Sequence, residues 1–133
     1  MLRRQRTILR LLSAAGGKVS ATQFQKYIFL LREETFLGHD AAFYEFLPYK
    51  YGPYSFAAQR EIDALVAYGY IQSSSTSLEI TMLGKTESSE VDSDTARAVL
   101  AVVSRYCKTP LRTLLKDVYA RYPWYASNSD LKD

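Results

Sequence analysis

Along this 133-residue chain the spacing of apolar positions changes several times, and each change marks an element. In residues 2–15, Ile8, Leu11, Leu12 and Ala15 recur at helical spacing while Arg3, Arg6 and Arg10 fall on another face. That pattern predicts an amphipathic helix, stopped by Gly16-Gly17. Ser20-Ala21-Thr22-Gln23 fits a capping box, and Phe24, Tyr27, Ile28 and Leu31 supply the stripe of a second helix. Residues 35–42, with Gly38, His39 and Asp40, read as a polar loop.

The period then shortens. Residues 43–49 alternate and are aromatic enough for a short strand, which Pro48 confines to an edge or terminates. Gly52-Pro53 predicts a turn, and Ser55 can cap a third helix over residues 56–68 that buries Phe56, Ile62, Leu65 and Val66 and ends at Gly69. The remaining face of that helix carries Gln59, Arg60 and Asp63. Residues 70–72 and 78–81 read as two strands around a Ser/Thr-rich loop.

Residues 83–91 read as a polar linker. Asp92 or Ser93 can cap a helix bearing Ala96, Val99, Leu100 and Val103, and Thr109-Pro110 opens another over residues 111–122 with Leu111, Leu114, Leu115 and Val118 inward. Pro123 closes it. The order of elements predicts an α+β, mainly helical fold: a winged helix-turn-helix with a small β-hairpin wing and two additional C-terminal helices. One domain over residues 1–126 is expected, with a core at 1–82, a helical extension at 92–123, and 127–133 as a frayed tail or the cut end of a longer chain.

Composition narrows the class. With 47% hydrophobic, 14% aromatic and 23% charged residues the chain reads as a globular protein. No apolar run approaches the roughly 18 residues of a membrane span, so a cytoplasmic protein without membrane attachment is expected. Residues 1–34 carry seven Lys or Arg against two Glu, which concentrates the net charge of +3 at the N-terminal end. Such asymmetry suits attraction to phosphate or to an acidic protein surface.

Candidate catalytic chemistry is sparse. His39 is the one histidine and Cys107 the one cysteine, so no disulfide and no recognised zinc spacing can be assembled. Gly16-Gly17-Lys18 lacks the upstream glycine and strand of a phosphate-binding loop. His39-Asp40 lacks a nucleophile at a defined position. The expectation is a non-enzyme with no metal and no cofactor.

Binding residues are better represented. In a winged helix the side chains that meet double-stranded DNA lie at the start of the recognition helix and on the wing, and Lys50, Tyr51, Tyr54, Ser55, Gln59 and Arg60 fill that role here. Gln59 suits an adenine edge and Arg60 a guanine edge or a phosphate. Arg3, Arg6 and Arg10 would add phosphate contacts from the first helix, and a homodimer would read two half-sites. The alternative is a protein partner, with Tyr51, Tyr54 and Trp124 as aromatic anchors. Six of the eleven tyrosines fall between residues 44 and 70.

The runs Lys26-Tyr27-Ile28-Phe29-Leu30-Leu31, Tyr44-Glu45-Phe46-Leu47-Pro48-Tyr49-Lys50-Tyr51-Gly52-Pro53-Tyr54-Ser55-Phe56 and Glu61-Ile62-Asp63-Ala64-Leu65, followed by Gly69-Tyr70-Ile71, resemble the Panacea or SocA-like domains of bacteria and phages. The resemblance covers residues 26–71. It implies a regulatory or protein-binding role, antitoxin-like or targeting, and a toxin is among the partners it suggests. The leading expectation is a DNA-binding transcriptional regulator, and the alternative is a protein-interaction module.

Overall fold

A central helix organises the fold, described by a computed structural model for residues 1–130. Helix α1 (Arg3–Ala14) leads through strand β1 (Lys18–Ser20) into α2 (Ala21–Glu34), whose residues from Phe24 through Leu31 are all buried. A helix buried on every side needs partners on every side. Those partners are α1, a hairpin, a later helix at Ser93–Tyr106 and a short 3-10 turn, Phe36–His39. The hairpin joins β2 (Leu47–Tyr49) to β3 (Gly52–Tyr54) and delivers the chain into α3 (Phe56–Ala67).

A second hairpin, β4 (Ile71–Ser73) and β5 (Ser77–Ile80), pairs back onto β1 in an antiparallel sheet of order β1-β5-β4. Helices α4 (Met82–Ser88), α5 (Ser93–Tyr106) and α6 (Leu111–Arg121) follow, with a last 3-10 turn at Pro123–Ala126. The architecture is α+β and mainly helical, with two small antiparallel sheets. Ile8, Leu12, Phe24, Ile28, Ile62, Val99, Val102, Leu114 and Val118 belong to one continuous core, so α5 and α6 share it with the first eighty residues.

Helix starts follow their caps. Ser20 Oγ accepts from Gln23 N (3.1 Å), Ser55 Oγ from Ala58 N (3.0 Å), Thr81 Oγ1 from Gly84 N (3.1 Å) and an Asp92 carboxylate oxygen from Thr95 N (3.2 Å). Only half of the expected capping box forms. The Gln23 amide turns away to Tyr27 Oη and the Thr109 carbonyl.

Several expectations are corrected. The stretch read as a linker contains α4, capped by Thr81 and closed on α1. The loop at 35–42 contains the 3-10 turn, held by Thr35. The Gly52-Pro53 turn is instead the start of β3, and the reversal falls at Lys50 and Tyr51. Pro48 and Pro53 face each other across the hairpin, where neither is asked to donate an N–H. Phe56 is 47% exposed, its ring packed edge-on against Tyr49 and Tyr54 and not in the core. Leu100 is likewise exposed, and Pro110, not Thr109, occupies the cap position of α6, without a side-chain bond. The tail is docked as far as it is described: Asp130 N donates to the Lys50 carbonyl (2.7 Å), and Ser129 is buried. The remainder of the tail, 131–133, lies outside the described residues.

Candidate interaction surface: the aromatic hairpin and a buried lysine

Two adjacent polar residues inside α2 fix the β2–β3 hairpin and the start of α3. Gln25 clamps the backbone of Ser55, donating to its carbonyl (3.1 Å) and accepting from its N–H (2.9 Å). Lys26 Nζ donates to the Pro53 carbonyl (3.0 Å). Both side chains are 1% exposed, and Ser55 is fully buried. Gly52 closes the hairpin at φ +89°, and a Cβ there would lie 2.6 Å from Leu115 Cδ2, so the glycine is required both by its backbone and by α6.

This clamp leaves an aromatic face outward. Tyr49, Tyr54 and Phe56 form a ring cluster with centroids 4.8–5.6 Å apart, and Leu47 and Tyr51 are exposed on the same hairpin. Burial, reinforced by neighbouring Tyr49 and Asp63, raises the Tyr54 hydroxyl pKa, so it stays protonated and able to donate. Beneath these rings is a cavity of about 230 Å³ lined by Ala21, Thr22, Lys26, Tyr49, Tyr51, Tyr54 and Gln59. Burial alone pulls the Lys26 ammonium down to about 7.

The residues expected to bind DNA separate into different places. Tyr51, Tyr54 and Gln59 converge on this cavity, and Lys50 is exposed at the hairpin tip. The Gln59 amide is engaged from both ends, by Asp63 (3.0 Å) and Gln25 (3.5 Å). Ser55 is occupied with its cap. Arg60 is exposed and borders a cleft of about 490 Å³ with Arg4, Tyr44 and Glu61. In that cleft Glu61 receives Arg4 Nε (2.9 Å) and Gln5 Nε2 (2.8 Å), tying α1 to α3, and burial drives the Tyr44 hydroxyl pKa upward.

The α1 arginines do not form an open patch with α3. Arg3 lies 3.5 Å from Asp92, Arg6 3.7 Å from Glu87, and Arg10 Nη1 donates to the Ser88 carbonyl (3.3 Å). Trp124 is 59% exposed, on a 3-10 turn that packs against β2. His39 is exposed at the end of its own 3-10 turn. Among the described residues no group of three or more His, Cys, Asp or Glu side chains is placed to hold a metal ion, and no helix is long and apolar enough to cross a membrane.

Sequence reasoning missed Lys26, Tyr49 and Phe56 as parts of one surface. The available signal was a lysine inside the apolar run 24–31, which no solvent-facing stripe of α2 accounts for. Comparison with known proteins gives this chain no identity: no family model matches it, and no curated protein matches it.

Proposed function

We propose that this chain is a protein-interaction module on a winged-helix scaffold, docking a partner through the β2–β3 hairpin and the start of α3. The scaffold part of the reading rests on the order α1, β1, α2, α3, β4, β5 and on the β1-β5-β4 sheet, with the β2–β3 hairpin as an insertion. The observation that carries the function is the ring cluster of exposed Tyr49 and Phe56 with half-buried Tyr54, flanked by exposed Leu47 and Tyr51. Aromatic residues held rigidly at a surface lose little side-chain entropy on binding and are the usual anchors of protein interfaces. The resemblance of residues 26–71 to Panacea or SocA-like domains supports the same class of role.

DNA binding by α3 is less well supported by the charges. Its exposed face sets Arg60 beside Asp63, Glu61 is committed to Arg4, and the 73–77 loop carries no basic residue. The α1 arginines that would contribute phosphate contacts are engaged with α4 and the start of α5.

Affinity purification from nuclease-treated cells of the source organism tests the choice. A partner should be retained by the wild-type chain and reduced at least about ten-fold by Tyr51→Ala with Tyr54→Ala, since each aromatic anchor is worth roughly 1–2 kcal/mol. Unchanged retention in the double variant, together with duplex DNA binding whose salt slope counts several phosphates, would transfer the function to DNA.

A further inference from the structure

We propose that the cavity beneath the tyrosine hairpin is a receptor for an aspartate or glutamate side chain of the partner protein, whose carboxylate becomes the counter-ion of Lys26. The proposal deepens the reading of the hairpin as a docking face and rests on it. It begins from an electrostatic imbalance. Lysine is almost never fully buried unless paired, yet Lys26 is 1% exposed. Among the described residues no carboxylate forms an ion pair with it, and its one hydrogen bond goes to a neutral carbonyl, that of Pro53. An ammonium has three N–H donors, and the Pro53 carbonyl takes one of them.

Anchoring the hairpin does not explain a charge at this position. Gln25, the preceding residue, performs the same kind of anchoring on Ser55 with a neutral amide and two hydrogen bonds. Burying a charge for one bond to a neutral carbonyl carries the cost of dehydrating an ion, which the Gln25 amide avoids. The lysine sits instead in the wall of a cavity of about 230 Å³, large enough for a single acidic side chain and some of its neighbouring atoms.

The rest of the lining suits the same ligand. Tyr49, Tyr51, Tyr54 and Thr22 line it, residue types that offer rings to a methylene stem and hydroxyls that can donate to carboxylate oxygens. A carboxylate taken into this site would be desolvated opposite a lysine already desolvated and would favour its ammonium form, giving a charge-assisted contact stronger than at an exposed surface. An acidic side chain at the centre of an apolar patch on the partner would meet the ring cluster and Lys26 together.

The test uses the intact chain and two blocked tripeptides, acetyl-Phe-Glu-Leu-amide and its Gln counterpart, titrated while lysine and tyrosine side-chain signals are followed by nuclear magnetic resonance. The Glu peptide should bind about ten-fold more tightly than the Gln peptide, as expected for one charge-assisted contact, and should shift the Lys26, Tyr51 and Tyr54 signals. Lys26→Met, checked for folding by thermal melting, should bring the two peptides to within about two-fold of each other. Equal binding of both peptides to the wild type, binding of neither, or saturation by inorganic phosphate in place of the Glu peptide would overturn the receptor. If the Glu preference is absent while Tyr51→Ala with Tyr54→Ala still releases the protein partner, the lysine receptor fails and the docking face stands. If the partner is indifferent to those tyrosines, the docking face fails whatever the peptides do.

Discussion

At the scale of single residues, Lys26 has the largest energetic consequence. Its ammonium is pulled from an ordinary value of 10.5 to about 7 in the fold by burial. Between those values the unfolded chain holds a proton that the folded chain has released. Stability therefore rises with pH across this window and the full penalty is present below about pH 7, with a limiting slope of about 1.4 kcal/mol per pH unit. Lys26→Met removes both the slope and the penalty. Chemical denaturation at pH 6, 7, 8 and 9 should show the wild type gaining stability with pH relative to the variant, and the variant should be the more stable protein at pH 6. Parallel curves for the two proteins would mean that the ammonium is hydrated in solution and that its burial carries no free energy. The lysine could be noticed in the sequence as the charged member of an apolar run, but nothing in the sequence placed Pro53 above it or three tyrosines beside it. Those neighbours are brought in from residues 49–54 by the hairpin register.

At the scale of elements, caps and stripes were legible because they are local. Ser55, Asp92 and the Gly16-Gly17 stop lie within a few residues of what they control. Strand β1 was not legible, because three residues, Lys18–Ser20, become a strand only by pairing with Ser77–Glu79, far along the chain. Helix α4 was obscured by its composition: Gly84 weakens helix propensity, yet a Cβ there would lie 2.2 Å from the Tyr70 carbonyl oxygen, so close packing overrides propensity. The aromatic run 43–56 was legible as a strand-and-turn region but not as a hairpin, since Pro53 argues against a strand until it is seen opposite Pro48. The hairpin yields a graded prediction. Ser55→Ala loses one cap bond and should cost about 1 kcal/mol. Gly52→Ala combines a left-handed backbone with a clash against Leu115 and should cost about 3 kcal/mol, from the conformational and overpacking terms together. Urea denaturation of both variants checks the order, and an equal cost would show that the hairpin can shift off α6 without strain.

At the scale of the whole molecule, the C-terminal helices are part of the structure that holds the docking face. Phe29 of α2 meets Phe46, Tyr122 and Tyr125 edge-on at 5.4, 5.3 and 4.8 Å, so the aromatic interior joins the hairpin approach to the last 3-10 turn. At the end of α2, Glu34 receives Tyr106 Oη (2.6 Å), Arg121 Nη1 (2.5 Å) and, more distantly, Arg105 Nη1 (3.5 Å), which pins α5 and α6 together. Glu34→Gln keeps the shape and removes the charge. It should cost about 2 kcal/mol, the scale of a charge-assisted hydrogen bond, and should speed hydrogen exchange in α6 before α1. Removing the helices altogether is a different event. Val99, Val102, Val103, Tyr106, Leu114, Leu115 and Val118 are buried, and at about 1.5–3 kcal/mol for each fully buried side chain their loss is on the order of 10 kcal/mol, comparable with the total stability of a domain this size. A chain ending at Val91 should therefore lose its cooperative thermal transition and bind a hydrophobic dye, although it retains all three strands of the β1-β5-β4 sheet and helices α1 to α4. A cooperative transition in that truncated chain would make the first ninety residues a self-sufficient core. Loss of the transition would mean that α5 and α6 are required to fold the scaffold on which the hairpin is held.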